Sequence, residues 1–256
     1  MLTHLRSALT YFVVASYVVL VGPPGILLAL AFKWKSLLYE LGHLGVKIGF
    51  FLSGIRYSVH GSERVPSGRA VVFCSNHQSN IDPPVLFEAL HRRVHILYKQ
   101  ELDALPILAR AFRIGGFIPI DRRNKESALR SIDAGAASIR AGNSFLIFPE
   151  GTRSRTEALL PFKKGGFIMA IKAQAPIVPV AIQGGRAAWQ RGSWLIHPVH
   201  VQVKIGDPVD TAGYVVDQRD AVIARVRAAI EALMHEDQPL VAAAEARPAQ
   251  GVFNAQ

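Results

Sequence analysis

Residues 9–32 carry no charged side chain, with Arg6 before the run and Lys33 and Lys35 after it. A run of that length could cross a hydrocarbon core of about 30 Å as one helix. Gly22-Pro23-Pro24-Gly25 interrupts it. Two prolines remove backbone donors and crowd the preceding turn, so the pattern predicts a break that leaves each half too short to span. In the second apolar stretch, residues 37–55, Leu37, Leu41, Leu44, Ile48, Phe51 and Leu52 recur at helical spacing. That is the pattern of an amphipathic helix lying in, or dipping into, one leaflet. The expectation for residues 1–55 is a membrane-associated helical pair or re-entrant hairpin. A spanning helix kinked at the prolines and a leader cleaved after Ala29-Leu30-Ala31 are the competing readings.

Beyond Arg56 the pattern changes to short apolar runs alternating with amphipathic stretches. Residues 70–75, 94–99, 117–121, 144–148, 177–182 and 199–205 are rich in Val, Ile and Phe and predict strands. Residues 83–91, 101–112, 125–140, 166–173 and 217–234 predict helices. Such alternation implies an α/β fold over residues 56–235, with a largely parallel or mixed sheet flanked by helices and right-handed crossovers. Residues 236–256 turn to Ala, Pro, Gln and Gly, which bury little, and are expected to form a loose tail.

Composition narrows the picture. With 256 residues, half of them hydrophobic, there is material for one sizeable core plus an appendage. The net charge of +10 suits a phosphate, an anionic lipid surface or nucleic acid, without choosing among them. Nucleic acid is disfavoured because no basic patch interleaved with aromatics and no recognisable binding module is present. Cys74 is the only cysteine, which rules out an intramolecular disulfide and a cysteine-based metal cluster and fits a reducing, cytoplasmic setting.

Candidate chemistry lies in two segments. In Asn76-His77-Gln78-Ser79-Asn80-Ile81-Asp82, the histidine follows one predicted strand and the aspartate opens the next helix. Strand-to-helix connections at the carboxyl ends of strands are where open α/β sheets bind ligands. The short loop can fold the carboxylate of Asp82 onto one ring nitrogen of His77, leaving the other free to take a proton. No Gly-x-Ser-x-Gly elbow is present, so a base here would activate a hydroxyl of the substrate rather than of the protein. On its own this spacing is also compatible with a structural histidine, and Cys74, set among apolar residues, reads as inert. In Phe148-Pro149-Glu150-Gly151-Thr152-Arg153-Ser154, Gly151 permits a sharp turn with exposed N–H groups, and Arg153 offers a planar fork for phosphate oxygens. Arg122 and Lys99 place two further cations at the ends of predicted strands, although each cation alone could be a solvated surface charge.

Together these segments resemble the lysophosphatidic acid acyltransferase branch of the glycerolipid acyltransferases. Four signatures stand in family order: the His-x4-Asp motif from His77 to Asp82, Gly116 to Arg122, Phe148 to Ser154, and Val178-Pro179-Val180-Ala181-Ile182. The resemblance covers roughly residues 55–210. It implies that His77 and Asp82 are catalytic, that Lys99, Arg122 and Arg153 bind phosphate, and that Glu150, with Gly151 and Thr152, holds the acceptor or the turn. It also implies that the fourth block shapes the acyl pocket; here that block ends in Ala181-Ile182 where many members have a second proline. The implied reaction moves an acyl group from acyl-CoA or acyl carrier protein to lysophosphatidic acid, without cofactor or metal, at the cytoplasmic face of the inner membrane. Glycerol 3-phosphate, a lyso-aminolipid, or a non-enzymatic basic membrane-binding role are the alternatives.

Overall fold

A computed structural model describes residues 1–90, 93–121, 123–190 and 192–236. It contains a seven-stranded mixed sheet flanked by helices. The strands are β1 (Arg56–His60), β2 (Val72–Ser75), β3 (Val94–Lys99), β4 (Ile118–Ile120), β5 (Ser144–Ile147), β6 (Ile177–Gln183) and β7 (His200–Ile205). Their spatial order is β1-β7-β6-β2-β5-β3-β4. β6, β2, β5, β3 and β4 are mutually parallel; β7 runs antiparallel to β6, and β1 pairs parallel to β7. The central strands β2 and β5 are buried along their whole length, as expected for parallel strands covered on both faces.

The helices divide between the faces. On one face α5 (Lys125–Arg140), α6 (Gly165–Ala173) and α8 (Arg219–His235) cover Val72, Cys74, Phe145 and Ile147. On the other, α2 (Lys35–Ser53) and α3 (Asp82–Ala89) cover Val71, Phe73, Leu146 and Val180. The β2 crossover therefore leaves toward one face and the β5 crossover toward the other. This makes the carboxyl ends of β2 and β5 a switch point, where a crevice opens.

Most predicted elements are present, with informative differences. The helix expected over 101–112 is instead a 3-10 turn, Gln100–Ala104, followed by α4 (Pro106–Ile114). Leu105 precedes a proline and is held extended at φ −100°, ψ 91°, so a helix cannot run through it and restarts with Pro106 at its first position. β1 was not expected, because Arg56, Ser58 and His60 make it a half-polar edge strand without a run of apolar residues. The short α7 (Gly185–Ala188) was likewise not anticipated. His91 and the expected tail beyond Glu236 lie outside the described residues.

The main correction concerns the amino terminus. α1 (Leu2–Ala31) is one continuous helix of 30 residues with Pro23 and Pro24 inside it, about 45 Å long at 1.5 Å per residue. The helix is closely packed on both sides of the prolines. α1 and α2 form an antiparallel hairpin in which glycines bring the backbones close. A Cβ on Gly25 would lie 2.5 Å from Leu41, one on Gly22 2.7 Å from Ile107 of α4, and one on Gly45 2.9 Å from Tyr17. Tyr17 also donates to the Leu41 carbonyl at 2.7 Å. The glycines beside the prolines thus buttress the helix there through neighbouring elements. α1 is long and apolar enough to cross a membrane, and its exposed Leu5, Leu9, Phe12, Leu20 and Leu27 are consistent with membrane association. It touches the α/β unit near its start and again just before the prolines: Ser7 accepts from the Ile196 N–H at 2.9 Å, Tyr11 donates to the Trp194 carbonyl at 2.8 Å, and Gly22 abuts α4.

Candidate active site

Pro83 and Pro84 occupy the first turn of α3, where their missing N–H groups cost nothing, so the helix begins at Asp82 and the loop from Ser75 is short. The Asp82 carboxylate folds back over that loop. Its Oδ2 accepts from the N–H groups of Gln78 and Ser79, each at 2.7 Å, and lies 2.9 Å from His77 Nδ1. An acceptor at that distance places the ring proton on Nδ1 and leaves Nε2 as a proton acceptor. The Asp82 side chain is 1% exposed and that of His77 16%, so the carboxylate is sealed while the imidazole can be reached. Phe148, the residue after β5, stacks on the imidazole with ring centroids 4.2 Å apart. Sequence reasoning did not single out Phe148. Its adjacency depends on β2 and β5 being neighbours in the sheet.

Glu150 joins the two loops. Its carboxylate accepts from the His77 N–H at 2.8 Å through one oxygen and from the Leu160 N–H at 2.9 Å through the other, and the residue is 2% exposed. Burial raises the carboxyl above its ordinary value of 4.5, against the opposing pull of these two N–H donors. Glu150 is thus tied into the turn by both carboxylate oxygens. Gly151 adopts φ +68°, which glycine takes without strain. Its N–H donates to the Phe148 carbonyl at 3.0 Å, and the Ser154 N–H donates to the His77 carbonyl at 2.8 Å. These two N–H groups therefore close the turn instead of standing open, as the sequence suggested. Thr152 is exposed on the same turn. Arg153 Nη1 donates to Asn80 Oδ1 at 2.6 Å, so a residue inside the His-x4-Asp loop aims the guanidinium of the other segment.

Lys99 ends β3, two strands from β2 in the order β2-β5-β3, which is about 10 Å of strand spacing. Its side chain is 57% exposed and pairs with Glu101 at 3.0 Å. Arg122 lies outside the described residues. The structure thus brings together His77, Asp82, Glu150, Gly151, Thr152 and Arg153, with Lys99 at the same end of the sheet. Cys74 is fully buried, and burial pushes its thiol well above the ordinary value, which makes it a poor nucleophile. Among the described residues, no group of three or more His, Cys, Asp or Glu is placed to hold a metal.

An apolar cavity of about 530 Å³ opens between the amino-terminal hairpin, α3, α4 and the sheet. Tyr17, Leu41, Phe87 and Phe117 line it, and Ile81, Pro83 and Trp189 bring it beside the His77–Asp82 loop. A group reacting at His77 could carry a long apolar substituent into this space.

Comparison with known proteins agrees with this arrangement. A family model described as Acyltransferase matches residues 56–183. The chain is 33% identical over 201 residues to the 1-acyl-sn-glycerol-3-phosphate acyltransferase of Limnanthes douglasii, covering 77% of this chain and 71% of the relative. It is 30% identical over 215 residues to the protein of that name from Cocos nucifera, covering 83% and 68%. Its fold is similar to the crystal structure of the 1-acyl-sn-glycerophosphate (LPA) acyltransferase PlsC from Thermotoga maritima. The TM-score is 0.77 at 26% identity, over 90% of this chain and 95% of that one. A histidine–carboxylate pair at a sheet switch point, an arginine held across it and an apolar cavity alongside thus coincide with similarity in sequence and in fold, and the chain belongs to the 1-acyl-sn-glycerol-3-phosphate acyltransferase family of acyltransferases.

Proposed function

We propose that the protein transfers a fatty acyl group from an acyl thioester to the free sn-2 hydroxyl of 1-acyl-sn-glycerol 3-phosphate, giving phosphatidic acid. The observation that carries this reading is the His77–Asp82 pair, at 2.9 Å, with no nucleophilic side chain joined to it among the described residues. His77 Nε2 removes the proton of the acceptor hydroxyl as its oxygen attacks the thioester carbonyl. The tetrahedral intermediate collapses, the carbon–sulfur bond breaks, and the imidazolium returns the proton to the leaving thiolate. Asp82 holds the ring and stabilises the transient imidazolium. Arg153, with Lys99 and Arg122, binds the phosphate and fixes the hydroxyl in reactive geometry. Glu150 and Gly151 hold the turn from which Thr152 and Arg153 face the acceptor, and acyl-CoA or acyl carrier protein serves as co-substrate. The names of the relatives support the acceptor assigned here.

In this reading residues 56–235 carry the chemistry and residues 1–55 anchor it at the cytoplasmic leaflet of the inner membrane. Contacts at Ser7, Tyr11 and Gly22 support a helix lying along the domain over one crossing the bilayer. Single cysteines at Thr3 and Ser36, in a Cys74→Ser background, should both label from the cytoplasmic side. Labelling from opposite sides would establish a spanning helix.

The activity is tested on purified protein in detergent, with acyl-CoA and acyl carrier protein donors and a panel of acceptors. Phosphatidic acid formation should exceed acylation of glycerol 3-phosphate and of phosphate-free lyso-acceptors. Preference for a lyso-aminolipid would overturn the assigned acceptor.

A further inference from the structure

The fourth sequence block ends β6, and the segment beyond it has no part in the mechanism above. It runs directly over the catalytic pair. The Asn76 carboxamide bonds both ways to Ile182, donating to its carbonyl at 2.9 Å and accepting from its N–H at 2.8 Å. Seven residues on, Ser79 Oγ donates to the Trp189 carbonyl at 2.8 Å. These clamps hold residues 182–189 across the His-x4-Asp loop, with Gly184 turning the chain at φ +87°.

Gly185 lies between the clamps and against the carboxylate. Asp82 Oδ2 takes three donors, whereas Oδ1 is buried with no hydrogen-bond partner among the described residues. A Cβ on Gly185 would overlap Oδ1 and would also meet Ser79 Cβ and Ile81 Cγ2, both at 3.3 Å. The backbone does not require glycine at 185, because its φ is not among the positive ones and it opens the α7 turn. Alanine fits such a backbone and raises helix propensity.

From this we infer that Gly185 is a positioning residue for catalysis: its missing side chain leaves the space that lets Asp82 turn Oδ2 onto His77 Nδ1. The inference rests on the reading of His77 and Asp82 as the catalytic pair. It gives the fourth block a second task beyond any in the acyl pocket, namely delivering a bare Cα to the back of the carboxylate. A methyl group at 185 pushes Oδ1 and rotates Oδ2 away from the ring, so the loss falls on the chemical step and not on binding.

Full-length Gly185→Ala, Asp82→Ala and the double variant separate this role from a general packing role. Gly185→Ala should lower kcat by ~10-fold or more, with KM for acceptor and thioester within about twofold and a thermal midpoint no lower than that of Asp82→Ala. In the Asp82→Ala background the offending contact is gone, so adding Gly185→Ala should change the residual rate by less than about twofold. Undiminished kcat in Gly185→Ala would overturn the inference, and so would an equal fractional loss in both backgrounds. Near-normal turnover of Asp82→Ala alone would instead overturn the reading of the pair.

Discussion

Two stretches of one sheet edge are built in opposite ways. At the carboxyl ends of β2, β5 and β6, nearly every polar group is already engaged. Asp82 holds two N–H groups and the imidazole, Glu150 ties the β2 and β5 loops, Asn76 ties the β2 loop to the end of β6, and Ser79 ties it to the segment beyond. At the ends of β3 and β4, Lys99 is largely solvated and shares its charge with exposed Glu101. In the proposed reading the difference corresponds to two kinds of task. Proton transfer needs an imidazole oriented before the substrate arrives, because reorganisation during reaction would add to the barrier. Holding a phosphate needs only charge at the right distance, and a mobile lysine can adapt to a headgroup. Arg153 stands between these extremes: the proposed mechanism puts it on the substrate side, and it is aimed by Asn80 from within the preorganised loop.

If that contrast is correct, variants in the corner should damage turnover and variants at the edge should damage acceptor binding. His77→Ala should cause the largest loss, at least ~10²-fold in kcat with the fold intact, and Asp82→Asn should also be severe through loss of ring orientation. Near-normal kcat in folded His77→Ala would remove the basis of the comparison. Arg153→Ala should come next, lowering kcat/KM for the acceptor by ~10- to 100-fold, the scale of a charge-assisted contact of ~1.5–3 kcal/mol, with little change for the thioester. Equal losses with a phosphate-free acceptor would reassign this arginine to the framework. Lys99→Ala should be milder, about fivefold or less in acceptor KM, because an exposed and already paired cation contributes little. A larger loss in kcat than in KM at Lys99 would show that the edge is as preorganised as the corner.

The smallest effect is a slope rather than a loss. Burial raises the Glu150 carboxyl, so ionising it in the folded state costs more than in the unfolded chain. Its stability contribution is fully present below the ordinary carboxyl value, 4.5, and is lost as pH rises through the raised value. Glutamine does not titrate. The difference in thermal midpoint, wild type minus Glu150→Gln, should therefore decrease as pH rises across that window. An increase would mean that the Leu160 and His77 N–H groups outweigh burial and draw the carboxyl down.

Most element types and the candidate segments for chemistry were legible in the sequence, because they rest on local regularities. Apolar runs of strand length, helical spacing such as that of α5, and turn residues such as Gly151 and the Pro83-Pro84 helix start are readable within a few positions. Motif spacing also placed His77 and Asp82 on one loop, and that loop closes as expected. Whatever depended on strand order could not be read this way. β7 opposes β6, Phe148 stacks on His77, Glu150 holds the His77 N–H, and Gly185 backs Asp82. Each joins positions far apart along the chain, or elements whose partners local periodicity does not name. The proline pair in α1 shows the same limit from the other side. Local rules predict a break at Pro23 and Pro24, and only packing of the flanking glycines against Leu41 and Ile107 explains why the helix continues. The sequence by itself determined which residues could do chemistry. Tertiary structure decided which of them meet, because a local pattern sets a residue's conformation while its neighbours are set by the packing of the whole chain.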